Sequence, residues 1–172
     1  MHPIVLTEPG VEIAPSELII NPDGSIYHIA LRPDQIGDLV FVVGDQGRVE
    51  LLSRHFEKVE HRVQNREFVA HTGVFNGTHV TALSTGIGTD NIDIVINELD
   101  ALVNIDLKTK MPKEKLTALN IIRIGTSGSL QADIPVDSFV MSKFGLGLDN
   151  MLRSYLIDEV SNIDMEDAFV KH

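Results

Sequence analysis

Apolar residues along the chain alternate between short continuous runs and stretches with helical spacing. Leu39 to Val43 is a continuous apolar run that ends at Gly44, a pattern typical of a strand inside a sheet. The apolar positions that follow at helical intervals are Val49, Leu52, Phe56 and Val59. This order predicts a strand, a glycine turn and a helix.

The middle of the chain predicts a hairpin followed by a second helix. Arg66 to Val74 and His79 to Ser84 have strand composition, and the turn residues Asn76 and Gly77 separate them. The helix that follows has an apolar stripe formed by Ile92, Val95, Ile96, Leu99, Leu102 and Val103. The hairpin implies that strand directions in the sheet are mixed.

A charged residue interrupts the next apolar run. Ile121, Ile122 and Ile124 show no alternation with polar residues, which predicts a strand covered on both faces. Arg123 lies within this run, and a guanidinium removed from water needs a partner because an unpaired buried charge costs several kcal/mol. We therefore expect an anion beside Arg123. Ser138 to Met141 predicts one more strand.

Strands that alternate with helices predict an α/β fold with a mixed, mostly parallel sheet flanked by helices. Residues 1–25 are rich in proline and contain the turn sequence NPDG, so we expect an extended N-terminal arm there. Residues 26–172 are expected to form the α/β domain. The tail from residue 151 has scattered apolar positions that are compatible with a helix.

The charge of the chain excludes several classes of partner. A formal net charge of -11 disfavours general binding to nucleic acids or to anionic membranes, which require positive surfaces. The longest apolar run is far shorter than a bilayer-spanning helix, and the first residues lack a signal-peptide pattern. We expect a cytoplasmic protein. The absence of cysteine excludes disulfides and thiolate zinc sites.

Three predicted strand ends carry small or hydroxyl-bearing turns. These are VVGDQGR at 42–48, LSTGIGTDN at 83–91 and RIGTSGS at 123–129. Ligands of open α/β sheets bind at the carboxyl ends of the strands, so the three turns are expected to share one crevice. Glycines let backbone amides approach an oxyanion, and Arg48, Arg123 and Thr126 add donors suited to a tetrahedral anion. The pattern favours phosphate.

The polar residues of the predicted turns, and Arg66 and His28 outside them, also have ordinary structural interpretations. Arg123 could pair with an acidic side chain, Arg48 could be a solvated charge, and Arg66 could protect an edge strand. His28 could be an exposed loop residue. Asp45 could be a general base, but in a turn beside glycine we expect it to bond nearby amides.

Two other kinds of site are disfavoured by spacing. STGIGT contains only two of the glycines of a dinucleotide fingerprint, and no suitably placed acidic residue follows it. The histidines His55, His61, His71 and His79 have neither an i, i+4 pair nor companion ligands at zinc spacing. We expect no metal site.

Five segments together resemble one known family. In order they are YHIAL, VVGDQGRVELLSRHF, NREFVAHTG, STGIGTDNIDIVINEL and RIGTSGSLQADIPVDSFV, from Tyr27 to about Asn150. They are similar to the nucleoside phosphorylases, and most closely to the uridine phosphorylases. The resemblance implies that inorganic phosphate, as co-substrate, attacks the anomeric carbon of a pyrimidine ribonucleoside and releases the base and ribose 1-phosphate. It implies no metal or organic cofactor.

The resemblance also implies roles for individual residues. The phosphate-binding residues would be Gly44, Arg48, Arg66, Arg123 and Thr126. Arg123 and Thr126 would be catalytic, and Thr126, Ser127 and Gly128 would lie beside the ribose and the base. Arg66 would reach the phosphate of a neighbouring subunit, and His28 would cross the same interface to the ribose 5'-hydroxyl. A homo-oligomer with sites shared across a dimer interface is therefore implied.

The chain departs from the family pattern in two places. Gln46 occupies the position where family members usually have proline, so the turn loses a fixed φ. In the family, base recognition comes from a later portion than this chain contains, so we expect a C-terminally truncated domain that lacks competent uridine cleavage alone. Another nucleoside stays open as the substrate. The alternative from another class is a non-catalytic module that binds phosphate or ribose phosphate, or an assembly partner.

Overall fold

The structure, a computed structural model, describes residues 10–157 and 161–171. Residues 10–130 belong to one compact unit, and Gln131 begins a second. Every candidate site residue lies in the first unit, so the site can be described within it alone.

Five strands of the first unit form a mixed sheet with the order β2-β3-β4-β1-β7. They are β1 (Leu39–Val43), β2 (Lys58–Asn65), β3 (Phe68–Phe75), β4 (Thr78–Ser84) and β7 (Asn120–Arg123). β1 is parallel to both of its neighbours, β4 and β7, whereas β3 is antiparallel to β2 and to β4. The mixed sheet predicted from the sequence is confirmed.

The remaining elements are helices and one small hairpin. The helices are α1 (Gly47–Ser53), α2 (Thr89–Asn104) and α3 (Ile163–Lys171), and the hairpin strands are β5 (Ile105–Asp106) and β6 (Met111–Pro112). α3 lies in the second unit, where it confirms the helical tendency of the tail. None of the helices in the described part of the chain has the length and apolar composition needed to cross a bilayer.

The two helices of the first unit cover opposite faces of the sheet. Val42 of β1 packs in the main core together with Leu99 of α2, whereas Val43 packs with Val49 of α1. Adjacent residues of a strand point to opposite faces, so α1 and α2 must lie on different sides. Of the predicted α2 stripe, Val95, Leu99 and Leu102 are buried, Ile92 and Val103 are half-buried, and Ile96 is exposed.

The segment before residue 26 contributes to the main core. Ile13 and Leu18 are buried there, and Ile20 forms an antiparallel bridge with Ile26. These contacts tie the described part of the segment to the sheet. The domain boundary at residue 25 stays a prediction.

The first helix is shorter than its apolar spacing predicted. α1 ends at Ser53, and Val59 lies on β2 instead of the helix. Along β2 exposed and half-buried residues alternate, and this period of two fits a strand that pairs antiparallel with β3. The predicted β3-β4 hairpin is confirmed, with Asn76 and Gly77 in its turn at φ 47° and 70°.

β7 is exposed, so the prediction that this strand is covered on both faces is wrong. Ile121 and Ile122 are 38% and 48% exposed, and Arg123 is exposed too. The physical reason is position, because within the described part of the chain β7 lies at the edge of the sheet and pairs with β1 alone. Burial alone therefore gives Arg123 no requirement for an anion.

The strand predicted at Ser138 to Met141 is also wrong. These residues are irregular in the structure, and Phe139 and Met141 are fully exposed. A strand forms only where a neighbouring backbone can pair with it, and no described residue pairs with this segment.

Candidate functional site

The turns after β1, β4 and β7 meet at one edge of the sheet. The three strands are parallel, so their carboxyl ends lie on the same side. A methyl group built on Gly44 would lie 3.6 Å from the carbonyl oxygen of Gly86 and 3.9 Å from Arg123 Nη2. The structure therefore brings the three predicted turns together, and a ligand-binding crevice between them stays a prediction.

Backbone hydrogen bonds hold these turns together. The Thr85 amide donates to the carbonyl of Val43 at 2.8 Å, and the Ile124 amide donates to the carbonyl of Val42 at 2.9 Å. Gly86 and Gly88 have φ of 69° and 121°, which side-chain-bearing residues rarely adopt. The crevice therefore has a backbone wall that only these glycines can form without strain.

The Arg123 guanidinium lies between Gly44 and Gly125. A methyl group on Gly125 would come within 2.6 Å of Arg123 Nη1, so the guanidinium occupies the space over that glycine. Within residues 10–157 and 161–171, Arg123 forms no ion pair with a carboxylate. The structural alternative of an internal ion pair thus finds no support in the described chain.

The turn that leads into α1 positions Arg48. Asp45 Oδ1 accepts a hydrogen bond of 2.6 Å from the Gly47 amide, and the Asp45 carbonyl accepts one of 3.1 Å from the Arg48 amide. The expectation that Asp45 bonds nearby amides is confirmed. Arg48 is half-buried and, among the residues that the structure describes, has no carboxylate partner.

Gln46 is tied to a second turn. Its Nε2 donates to the carbonyl of Arg66 at 3.1 Å. Arg66 lies between β2 and β3 with φ of 54°. The turn that contains Gln46 is therefore restrained by this side-chain hydrogen bond.

Thr126, Ser127 and Gly128 follow β7 in an exposed, irregular segment. A methyl group built on Gly128 would meet no atom within 4 Å, so the space beside it is open. The segment begins next to the Arg123 guanidinium, at Gly125. The roles of these three residues stay predictions.

Arg66 and His28 belong to one cluster with Tyr27. Arg66 Nη2 donates to the Tyr27 hydroxyl at 3.2 Å, and Arg66 Cζ lies 5.3 Å from the centre of the Tyr27 ring. The Tyr27 and His28 rings pack edge to face with centroids 4.7 Å apart. The two residues that the resemblance assigns to a neighbouring subunit's site therefore both contact Tyr27.

Sequence reasoning missed two residues that hold this cluster. Asn65 Nδ2 donates to the carbonyls of His28 at 2.8 Å and Tyr27 at 3.2 Å, while Glu98 accepts hydrogen bonds from His28 and Ile29. Glu98 had a readable signal. It lies between the apolar positions of the α2 stripe, where a carboxylate needs hydrogen-bond donors nearby.

His71 forms a separate buried cluster under α1. Ser53 Oγ is hydrogen-bonded to His71 Nδ1 at 2.7 Å, and Arg62 Nη1 lies 3.1 to 3.2 Å from both ring nitrogens. Burial, then the Arg62 charge, lower the pKa of His71, and Glu50 opposes them only weakly. His71 is therefore neutral near pH 7, and its 3.6 Å approach to Glu50 is not an ion pair.

We expect the free energy of unfolding to fall as the pH drops below about 6.5, the ordinary value for histidine. The unfolded chain binds a proton at His71 in that range, whereas the folded chain does so only at lower pH, so acid favours unfolding. Urea unfolding between about pH 8 and pH 5 measures this. His71→Gln should flatten the slope, and exposed His55→Gln should not; equal slopes in all three chains would contradict the assignment.

No group of three or more histidine, aspartate or glutamate residues within the described ranges is arranged to hold a metal ion. The His71 ring nitrogens are hydrogen-bonded to Ser53 and Arg62, and His79 Nε2 lies 3.2 Å from Glu60. That the protein needs no cofactor stays a prediction.

A profile of the Phosphorylase superfamily matches residues 38–168. The chain belongs to this superfamily, and the family predicted from the five sequence segments is confirmed. The matched range includes the three turns of the crevice and Arg66. It begins after His28, whose role depends on other observations.

Relatives with known names are nucleoside phosphorylases of two kinds. The chain is 33% identical over 129 residues to a uridine phosphorylase of Treponema pallidum, covering 75% of this chain and 45% of that protein. It is 27% identical over 147 residues to a DeoD-type purine nucleoside phosphorylase of Streptococcus gordonii, covering 81% and 56%. Sequence similarity alone therefore spans enzymes named for pyrimidine and for purine substrates.

Solved structures of the same kind share the fold. A Trypanosoma brucei nucleoside phosphorylase that shows uridine phosphorylase activity superposes with a TM-score of 0.63 at 36% identity, covering 69% of this chain and 41% of that one. A uridine phosphorylase of Phytophthora capsici gives a TM-score of 0.59 at 26% identity, covering 73% and 39%. The chain spans less than half the length of these proteins.

Proposed function

We propose that the chain supplies the phosphate- and ribose-binding part of a nucleoside phosphorylase that cleaves pyrimidine ribonucleosides. The reaction is a pentosyl transfer from the base to inorganic phosphate. Membership of the superfamily supports a phosphorylase, and the similarity to uridine phosphorylases of Treponema pallidum and Trypanosoma brucei favours uridine.

The observation that carries this proposal is the Arg123 guanidinium beside Gly44, with no carboxylate partner among the described residues. A guanidinium can hold two oxygens of one phosphate through parallel N–H donors. Arg48 at the start of α1 adds a second cation, and the exposed Thr126 adds a hydroxyl. These groups together provide donors and positive charge. The Asp45 carboxylate of the same turn is bonded to the Gly47 amide, and the Glu67 side chain lies beside Gly86.

The proposed chemistry uses phosphate twice. Cleavage of the glycosidic bond leaves positive charge on the sugar, and a phosphate held by Arg123 and Arg48 stabilises that charge electrostatically. The base leaves with the electron pair of the broken bond, and one oxygen of the same phosphate then supplies the electron pair for the new bond to the anomeric carbon. Holding the nucleophile in place makes the step effectively intramolecular.

We further propose a homo-oligomer in which Arg66 and His28 complete the site of a neighbouring subunit. Their packing around Tyr27 supports a common role, because one surface would present both side chains to the same partner. No cofactor beyond phosphate is required by this scheme. A cytoplasmic location, expected from the sequence, is part of the proposal.

Mixing two defective chains tests the shared site. Arg66→Ala and Arg123→Ala chains are each expected to bind phosphate weakly. In a mixed dimer one site has lost both arginines and the other retains both, so tight binding should return in about a quarter of all sites after random exchange. Isothermal titration with inorganic phosphate measures the number of tight sites.

The matched control uses two arginines of the same crevice. Arg48→Ala mixed with Arg123→Ala can produce no site with both residues, so no tight binding should return. Recovery in both mixtures would mean that exchange does not report on the interface. Absence of recovery in the Arg66 mixture, with dimers present by light scattering, would contradict the shared site.

A second candidate function is a non-catalytic module that binds phosphate or lends residues to a complete subunit. The observation that favours it is coverage, because the chain spans 45% of the Treponema pallidum relative yet contains both the crevice and the Tyr27 cluster. A module should bind phosphate without turnover. A lending partner should raise nucleoside cleavage only when mixed with a complete subunit.

A further inference from the structure

Glu98 of α2 makes an unusually complete set of contacts with the His28 turn. Its Oε1 lies 2.7 Å from His28 Nδ1, and its two oxygens lie 2.9 and 3.0 Å from the His28 amide. Its Oε2 also accepts a 2.8 Å hydrogen bond from the Ile29 amide. One carboxylate thus binds the ring and two consecutive backbone amides.

These contacts determine which ring nitrogen of His28 carries a proton. Both Glu98 oxygens already accept hydrogen bonds from backbone amides, so we assign His28 Nδ1 as the donor in its 2.7 Å contact with Glu98. The proton on Nδ1 leaves Nε2 as the ring nitrogen that is free to meet a ligand. The Glu98 side chain is only 12% exposed, so water competes little for its oxygens.

The opposite side of the turn is fixed as well. Asn65 at the end of β2 donates to the carbonyls of His28 and Tyr27. The His28 ring packs between Tyr27 and Phe68, with centroids at 4.7 and 6.5 Å. The backbone and the ring of His28 are therefore both restrained, while its side chain keeps 27% exposure.

We propose that Glu98 is a positioning residue that holds His28 with Nδ1–H inward and Nε2 outward. This inference rests on the proposed function for the identity of the ligand, a ribose hydroxyl in a neighbouring subunit's site. A neutral ring held in this way accepts a hydrogen bond from the ribose hydroxyl at Nε2. A carboxylate that only anchored the turn would need the two amides and not the ring nitrogen.

The tautomer of His28 is measured directly by nitrogen-15 NMR of the 172-residue chain, labelled at histidine, at a pH where the ring is neutral. Loss of one signal set in His28→Gln assigns the residue among the seven histidines. We expect a protonated Nδ1 and an unprotonated Nε2. In Glu98→Gln the amide nitrogen should donate to Nδ1, so the proton should move to Nε2.

Asp100→Asn is the matched control, since it makes the same chemical change on an exposed carboxylate of the same helix that bonds Asn104. It should leave the His28 tautomer unchanged. A wild-type spectrum with the proton on Nε2 would overturn the inference, even if the Glu98 variant does not fold. A folded Glu98→Gln chain that keeps Nδ1–H would overturn it too.

The proposed function and this inference fail separately. The NMR measurement uses the chain without ligand, so its result does not depend on phosphate binding. If phosphate does not bind but His28 carries its proton on Nδ1, the proposed function is contradicted and the positioning of His28 by Glu98 is supported. If phosphate binds but the His28 proton lies on Nε2, the positioning by Glu98 is contradicted and the proposed phosphate site is supported.

Discussion

Replacement of Arg123 by alanine is expected to weaken the binding of inorganic phosphate by about tenfold to a hundredfold. Hydrogen bonds to charged groups contribute about 1.5 to 3 kcal/mol, and each 1.4 kcal/mol is tenfold in affinity. Arg123 has no carboxylate partner within the described chain, so the loss should appear in binding with little change in stability. Calorimetric titration of both chains with phosphate gives the comparison.

Arg54→Ala separates this local effect from a general effect of charge. Arg54 is an exposed arginine at the end of α1 whose Nε lies 3.4 Å from His55, and its removal lowers the net charge equally. Its phosphate affinity should stay within about twofold of the original, because solvent and salt screen distant surface charges. Equal losses in the two variants would mean that phosphate responds to overall charge.

The 172-residue chain alone is expected to release no uracil from uridine and phosphate above the uncatalysed rate. The chain covers 45% of the Treponema pallidum relative, and the family resemblance assigns base recognition to a later portion. Without groups that stabilise the departing base, a bound phosphate cannot complete the transfer. Chromatographic detection of uracil measures the reaction, with the longer Treponema pallidum relative as the positive control.

Turnover by the chain alone would contradict the expectation that base recognition requires a later portion than this chain contains. It would show that base and ribose recognition reside within these residues. Phosphate binding without uracil release would agree with it. Release that depends on added complete subunits would instead favour the assembly-partner alternative.

Sequence reasoning predicted the crevice because its determinants are local and topological. A strand of apolar residues that ends in glycine can be recognised directly, and the parallel order of β1, β4 and β7 then brings Gly44, Gly86 and Arg123 together. The hairpin turn at Asn76 and Gly77 was equally readable, since both residues tolerate positive φ.

Exposure and strand partners could not be predicted in the same way. The isoleucines of β7 have the composition of a covered strand, but coverage depends on what lies beyond the edge of the sheet. The strand prediction for Ser138 to Met141 was wrong for a related reason, because no backbone in the described chain pairs with this segment. The prediction that Val59 belongs to the first helix was wrong, because its spacing fits both a helical stripe and the alternation of strand β2.

The Tyr27 cluster could be predicted from the sequence only in part. Its members lie far apart in the sequence, from Tyr27 to Glu98, and only tertiary packing joins them. The resemblance named Arg66 and His28 without any physical reason for their association. The isolated carboxylate in the apolar stripe of α2 was the one sequence signal that pointed to a buried acceptor.

The central claim is that one oxyanion is bound between the turn at Gly44 and the guanidinium of Arg123. Amide and guanidinium NMR shifts followed during a phosphate titration test it most directly. We predict saturable changes at Gly44, Arg48 and Arg123, with none in the groove that contains Arg32 and Lys113. Changes confined to that groove, or no saturable change at Gly44 and Arg123, would contradict the claim.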